Sequence, residues 1–187
     1  VDQSWMFGAY VNERHPAIVD EIVPALTQQG FVRDLTGYQA GSDDEVHRQV
    51  LSAWKLLRER GIRYSSVGTL RGTGHVGWQH VRTIEQSLAA SQANCVDGSV
   101  LLASILVAIG LDPFLVTTPT HCYLGFFLGA AKPDGTRDFS LLETTLLGAD
   151  VDLAKVPAEP LADFRRIARG AGSEDSGPHD EDPLIAS

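Results

Sequence analysis

The stretch QANCVDGSVLLASILVAIGLDP, from Gln92 to Pro113, limits the possible folds more than any other part of this chain. From Val96 to Ile109 apolar residues fall on every side of a helical projection, so a helix here has to be enclosed all round. The apolar run is too short to cross a bilayer, so other parts of the fold must enclose it. Gly110 ends the helix and Pro113 forbids its resumption. The opposite end is polar: Asn94 stands where an N-cap belongs, Cys95 lies in the first turn and Asp97 follows two residues later. A helix that served only as core has no need of that start.

The rest of the chain supplies the enclosure. Its 187 residues are enough for one domain with a real core and too few for two comfortable ones. Asn12–Gly30 reads as a helix with Pro16 early, a stripe of Ile18, Val19, Ile22, Val23 and Leu26, and a kink at Pro24. A second helix opens at Ser42, with Glu45 at capping-box spacing, and closes at Gly61. Its apolar face is Val46, Val50, Leu51, Trp54 and Leu57. The run SSVGTLRGTGHVGW has no periodicity and reads as a surface loop. Thr83 and Gln86 again have capping-box spacing and predict a short helix through Leu88 and Ala89.

Beyond Pro113 the pattern changes. PFLVTT, HCYLGFFL and DFSLLETT are short β-rich runs, and AKPDGTRD is a strong turn between the last two. Three strands after several helices predict an α+β fold, with a small antiparallel sheet packed on the buried helix. Leu161, Phe164, Ile167 and Ala168 suggest a last short helix, closing a single domain over 1–169. The segment 170–187 is rich in glycine, serine and acid and reads as a disordered tail.

Net charge is −9, and the tail alone holds five acids and no Lys or Arg. The body is therefore only mildly acidic, which argues against nucleic acid as the main partner. Two cysteines, Cys95 and Cys122, are too few for a disulfide framework or a four-cysteine zinc site. The spacing of His75, His80, Cys95, His121 and Cys122 fits no zinc pattern, so neither metal nor cofactor is expected. Cys122 directly follows His121. In a strand, neighbours point to opposite faces, so Cys122 should turn away from Cys95 as a buried structural thiol.

The polar residues allow a chemical reading. A helix N-terminus favours an anion, and a thiolate is the nucleophilic form of cysteine. Cys95 would be the nucleophile, His121 at the start of the second strand the base, and Glu143 near the end of the third the orienting acid. The backbone N–H of Cys95 is the simplest oxyanion donor, with Gln79 preferred over Gln92 as its side-chain partner. Trp78, His75 and Asn94 would line a cleft. Asn94 should cap the helix, and Asp97 reads chiefly as a carboxylate complementing the helix dipole.

The order NCVDGSVLLASILVAIGLDP, TPTHCYLGFFL, FSLLETT resembles the core of the bacterial transglutaminase-like superfamily, which includes cysteine proteases. The match spans Asn94 to Thr145, with a looser extension through GYQAG, GIRYSS and WQHVRTIEQSL. The resemblance implies a papain/transglutaminase-like fold, with Cys95 as nucleophile, His121 as base and Glu143 as acid. Asp is commoner than Glu at that last place, and Ala93 stands where such motifs usually carry Gly. The activity implied is acyl transfer on a peptide or protein substrate. Hydrolysis of a peptide or amide bond leads, with glutamine transamidation or a catalytically silent binding module on the same fold as alternatives.

Overall fold

The computed structural model describes residues 4–66, 69–70, 78–79, 81–118 and 121–149, with the backbone alone at 4–5, 69–70 and 78–79. The helix expected around Leu161 and the acidic segment 170–187 lie outside the described residues, as do His75 and His80.

A 3-10 segment, Ser4–Tyr10, leads into the first helical stretch. That stretch is shorter than the periodicity suggested and is not uniform. Ala17–Ile22 is a π-turn, and α1 follows as Val23–Gln28. Pro24 supplies the reason. It has no N–H to donate back to Asp20, and its ring would crowd that carbonyl. The turn widens instead, and the Val23 N–H reaches back to Ile18. The wider turn brings Ile18, Ile22 and Leu26 into the core at a spacing of four and leaves Val19 exposed.

Helix α2, Asp43–Glu59, begins after Ser42, but the Ser42 side chain makes no capping bond. Three acids in the first turn complement the dipole there instead. The other end follows the sequence. Gly61 has φ +81°, and Ile62 N–H bonds Leu57 O while Gly61 N–H bonds Arg58 O, a Schellman closure. Leu51 is only half-buried, whereas polar Gln49 and Ser52 are buried. Both are satisfied by the preceding loop. The Gln49 amide brackets Gly37, accepting from its N–H and donating to its carbonyl, each at 3.0 Å, and Ser52 Oγ donates to Phe31 O at 2.8 Å.

Two short strand pairs follow. β1, Arg63–Tyr64, runs parallel to β4, Gln92–Ala93. β2, Thr69–Leu70, pairs antiparallel with β3, Trp78–Gln79, so part of the expected glycine-rich loop is a ladder. Between β3 and β4 lies α3, Ile84–Ala90, whose capping box is formed as the spacing required: Thr83 N–H donates to Gln86 Oε1 and Gln86 N–H to Thr83 Oγ1.

Helix α4, Cys95–Ala108, is buried continuously from Val96 to Leu106. Its far end closes on Gly110 with the same Schellman pair as α2, Leu111 N–H to Leu106 O and Gly110 N–H to Val107 O. Three strands pack on it in antiparallel order: β5, Pro113–Thr117, β6, Cys122–Phe127, and β7, Phe139–Leu142, with β6 central. The fold class is therefore mixed α and β, with the sheet on the Cys-bearing helix. Cys122, Leu124 and Phe126 of β6 share the buried face. On the other face Phe114 lies over Gly125, where an added Cβ would come within 2.2 Å of its ring. Only glycine leaves room for that ring.

Candidate active site

The site is built where α4 begins. Asn94 caps the helix as expected: its side-chain oxygen accepts from the N–H groups of Val96 and Asp97, each at 2.9 Å. The Asp97 carboxylate returns the contact, accepting from Asn94 N–H at 3.1 Å. It also does more than complement a dipole. Fully buried, it takes the Arg82 N–H at 2.8 Å and the Arg82 guanidinium at 2.9 Å. That clamp ties the first turn of α4 to the segment that enters α3. These caps fix the place of Cys95, which is half-buried with a free thiol.

His121 immediately precedes β6. Its backbone forms a closing pair with Thr118, each N–H to the other's carbonyl. Ladder bonds alternate along an antiparallel strand, so the next N–H, that of Cys122, points away from β5. The Cys122 N–H lies against the Cys95 sulfur, together with the N–H groups of Val96 and Cys95 itself. The imidazole is held by the residue that follows β7. Glu143 follows β7 and places Oε2 at 2.8 Å and Oε1 at 3.0 Å from His121 Nε2. An ionised carboxylate only accepts, so Nε2 is the donor here, and the tautomer that satisfies this bond has its lone pair on Nδ1. The Tyr123 ring meets the imidazole edge to face at 4.3 Å. Glu143 is itself fixed, as Oε1 accepts from Thr145 N–H at 2.9 Å and Thr145 Oγ1 at 2.8 Å. The "TT" after Glu143 is thus a 3-10 turn, Thr144–Leu146, and not a strand end.

Imidazole and carboxylate are therefore paired, and the residue that follows the imidazole brings its N–H to the sulfur. The thiol differs from expectation in one respect. Burial pushes it up from its ordinary value, the three N–H groups pull it down, and the Glu143 charge adds a further upward push. The net direction is upward, so the helix terminus alone does not make a thiolate. Cys122 is buried, as expected, but it does not leave Cys95 behind: it packs with Val96 and Val100 in a cluster that Cys95 itself borders, and both cysteines are free thiols. Burial pushes the Cys122 thiol up to about 12.

That value has a stability consequence. A Cys122 thiol that stays protonated to about 12 in the fold, against 9.0 ordinarily, gives its full contribution below pH 9. Above that, the unfolded chain loses the proton first, and stability falls by up to about 1.4 kcal/mol per pH unit until the folded thiol titrates. Urea midpoints will drop steeply above pH 9, and Cys122→Ala will flatten that slope. An unchanged slope in the variant would assign it to other groups.

One residue at this corner carried no sequence signal. Tyr64 sits in β1 beside Ala93, and its N–H bonds Leu147 O at 2.8 Å, so it bridges the entry to α4 and the turn after Glu143. It is 39% exposed, and its phenol is pushed up first by burial, then by the charges of Cys95 and Glu143. Of the other expected residues, Trp78 and Gln79 have their backbone in β3, while their side chains, like His75, lie outside the described residues. Gln92 is exposed in β4, whereas Asn94, expected also at a cleft, is buried with its side chain taken up by the cap. Among the described residues no group of three or more His, Cys, Asp or Glu is arranged to hold a metal ion. None of their helices is long and apolar enough to cross a membrane.

No protein-family model matches the chain, and neither a curated protein nor a solved structure matches it.

Proposed function

We propose that the chain is a cysteine-dependent acyl-transfer enzyme of transglutaminase-like type, which hydrolyses a peptide or amide bond. One observation carries the reading: the Glu143 carboxylate holds His121 Nε2 at the corner where the Cys122 N–H lies against the Cys95 sulfur. A carboxylate behind an imidazole beside a thiol at a helix tip is the arrangement that nucleophilic acyl transfer needs.

His121 Nδ1 takes the thiol proton as Cys95 Sγ attacks the carbonyl carbon. Glu143 stabilises the resulting imidazolium and keeps the ring oriented. The oxyanion gathers the Cys95 N–H, with Gln79 as the side-chain donor we favour. The imidazolium then gives its proton to the leaving amine, the C–N bond breaks, and a thioester remains on Cys95. Water attacks that thioester, with His121 again as base, and releases the acid. An amine in place of water would make the same site a transamidase. The partner in either case is a peptide or protein, and these steps draw on no cofactor.

The upward push on Cys95 favours a second reading, a silent module that grips a peptide without cleaving it. One experiment separates the two. The chain is mixed with p-nitrophenyl acetate and with peptide p-nitroanilides, and intact mass is followed in time. We expect a transient acyl group on the peptide carrying Cys95, discharged faster by added methylamine if transamidation operates. Equal nitrophenol release from Cys95→Ala, or acylation only at lysines, would leave the binding module.

A further inference from the structure

We propose that Thr144 is the positioning residue of this site: its buried hydroxyl fastens the Glu143 turn to the first turn of α4, and so holds the Glu143–His121 pair in register with Cys95. The inference rests on the catalytic reading of those three residues.

The strand register shows what Thr144 gives up. Leu124 pairs with Leu142 and Phe126 with Ser140. One more step would set Thr144 opposite Cys122. The chain leaves the ladder at Glu143 instead and turns into a 3-10 segment. The departure has two results. The Cys122 N–H lies against the Cys95 sulfur, and the Thr144 side chain enters the start of α4. Thr144 is 1% exposed, and its Oγ1 donates to the Cys95 carbonyl at 3.1 Å. Ser99 Oγ lies 3.2 Å from the same oxygen. Thr144 has one hydroxyl proton, and Cys95 O takes it, so Ser99 is the donor in that second bond. Gly98 makes the approach possible, since a Cβ there would stand 3.2 Å from Thr144 Cβ. A single residue thus bonds the backbone of the nucleophile while being covalently next to the acid.

A buried threonine that merely satisfies its hydroxyl would look similar, so the test needs a readout that packing does not move. Thr144→Val keeps the shape and removes both hydrogen bonds, whereas Thr144→Ser keeps the hydroxyl. Ring 15N shifts of His121 report which nitrogen is protonated, and the pH profile of Cys95 alkylation by iodoacetamide reports the base. We expect Thr144→Val to lose the Nε2–H preference and about tenfold in alkylation at pH 7, with Thr144→Ser restoring both. Wild-type ring shifts and a wild-type profile in Thr144→Val overturn the proposal, as does equal impairment of the two variants. If Thr144→Val does not fold, Gly98→Ala pushes Thr144 outward without removing a hydrogen-bonding group. The same change at His121 is then expected, and unchanged ring shifts overturn the proposal. A wild-type alkylation profile that ignores His121→Ala would remove the catalytic reading, while the ring shifts still decide whether Thr144 sets the tautomer.

Discussion

Alkylation of Cys95 by iodoacetamide at pH 7 will slow about 10²-fold when His121 becomes alanine, the low end of what a positioned base contributes. The sign follows from the sulfur's surroundings. Burial holds the Cys95 thiol above its ordinary value even with three N–H groups against it. A thiol held above its ordinary value is scarcely ionised at pH 7, so reactivity there depends on something that takes the proton. Nδ1 of His121 is the group we assign to that task. In the alanine variant the rise in rate should move to higher pH, as the half-buried thiol titrates on its own. Glu143→Gln should fall between the two, because an amide can still accept from Nε2 but no longer stabilises the imidazolium. Superimposable pH profiles for wild type and His121→Ala would show that the imidazole does not reach the sulfur's proton.

The second large effect belongs to the clamp at the start of α4. Asp97→Ala is expected to cost about 3–5 kcal/mol, because it removes at once the buried carboxylate that accepts from the Arg82 N–H, the Arg82 guanidinium and the Asn94 N–H. Asp97→Asn keeps the size and one acceptor and should lose roughly half as much. Urea denaturation of the three proteins at neutral pH measures this directly. A loss under about 1 kcal/mol for Asp97→Ala would mean that α4 is held by its apolar contacts alone.

These residues also show how far the sequence could be read. The helix that bears Cys95, its Asn94 cap, the Thr83–Gln86 box and the three strands after Pro113 were legible because each depends on neighbours within a few positions. The burial of Cys122 followed from strand alternation, but its separation from Cys95 did not, since Cys95 borders the cluster that holds it. The π-turn before Pro24 was half-legible: the proline foretold a disturbance, but the wider turn depends on a core that can still accept Ile18, Ile22 and Leu26. Ser42 had the right spacing for a box and did not form it, so spacing is permissive and not sufficient. Tyr64, Arg82 and Thr144 were not legible. Tyr64 sits in a strand of two residues whose partner is β4, Arg82 meets Asp97 fifteen positions away, and Thr144 reads as the end of a strand. Long-range pairing leaves no local period to find.

The hairpin that joins β5 to β6 has a consequence of its own. A one-residue slip of β6 would take Cys122, Leu124 and Phe126 off the buried face, so a change of length between Thr118 and His121 should be absorbed by the connection and not by the strand. The place of the imidazole is thus set by the sheet that β6 centres, and loop length is free to vary beside it.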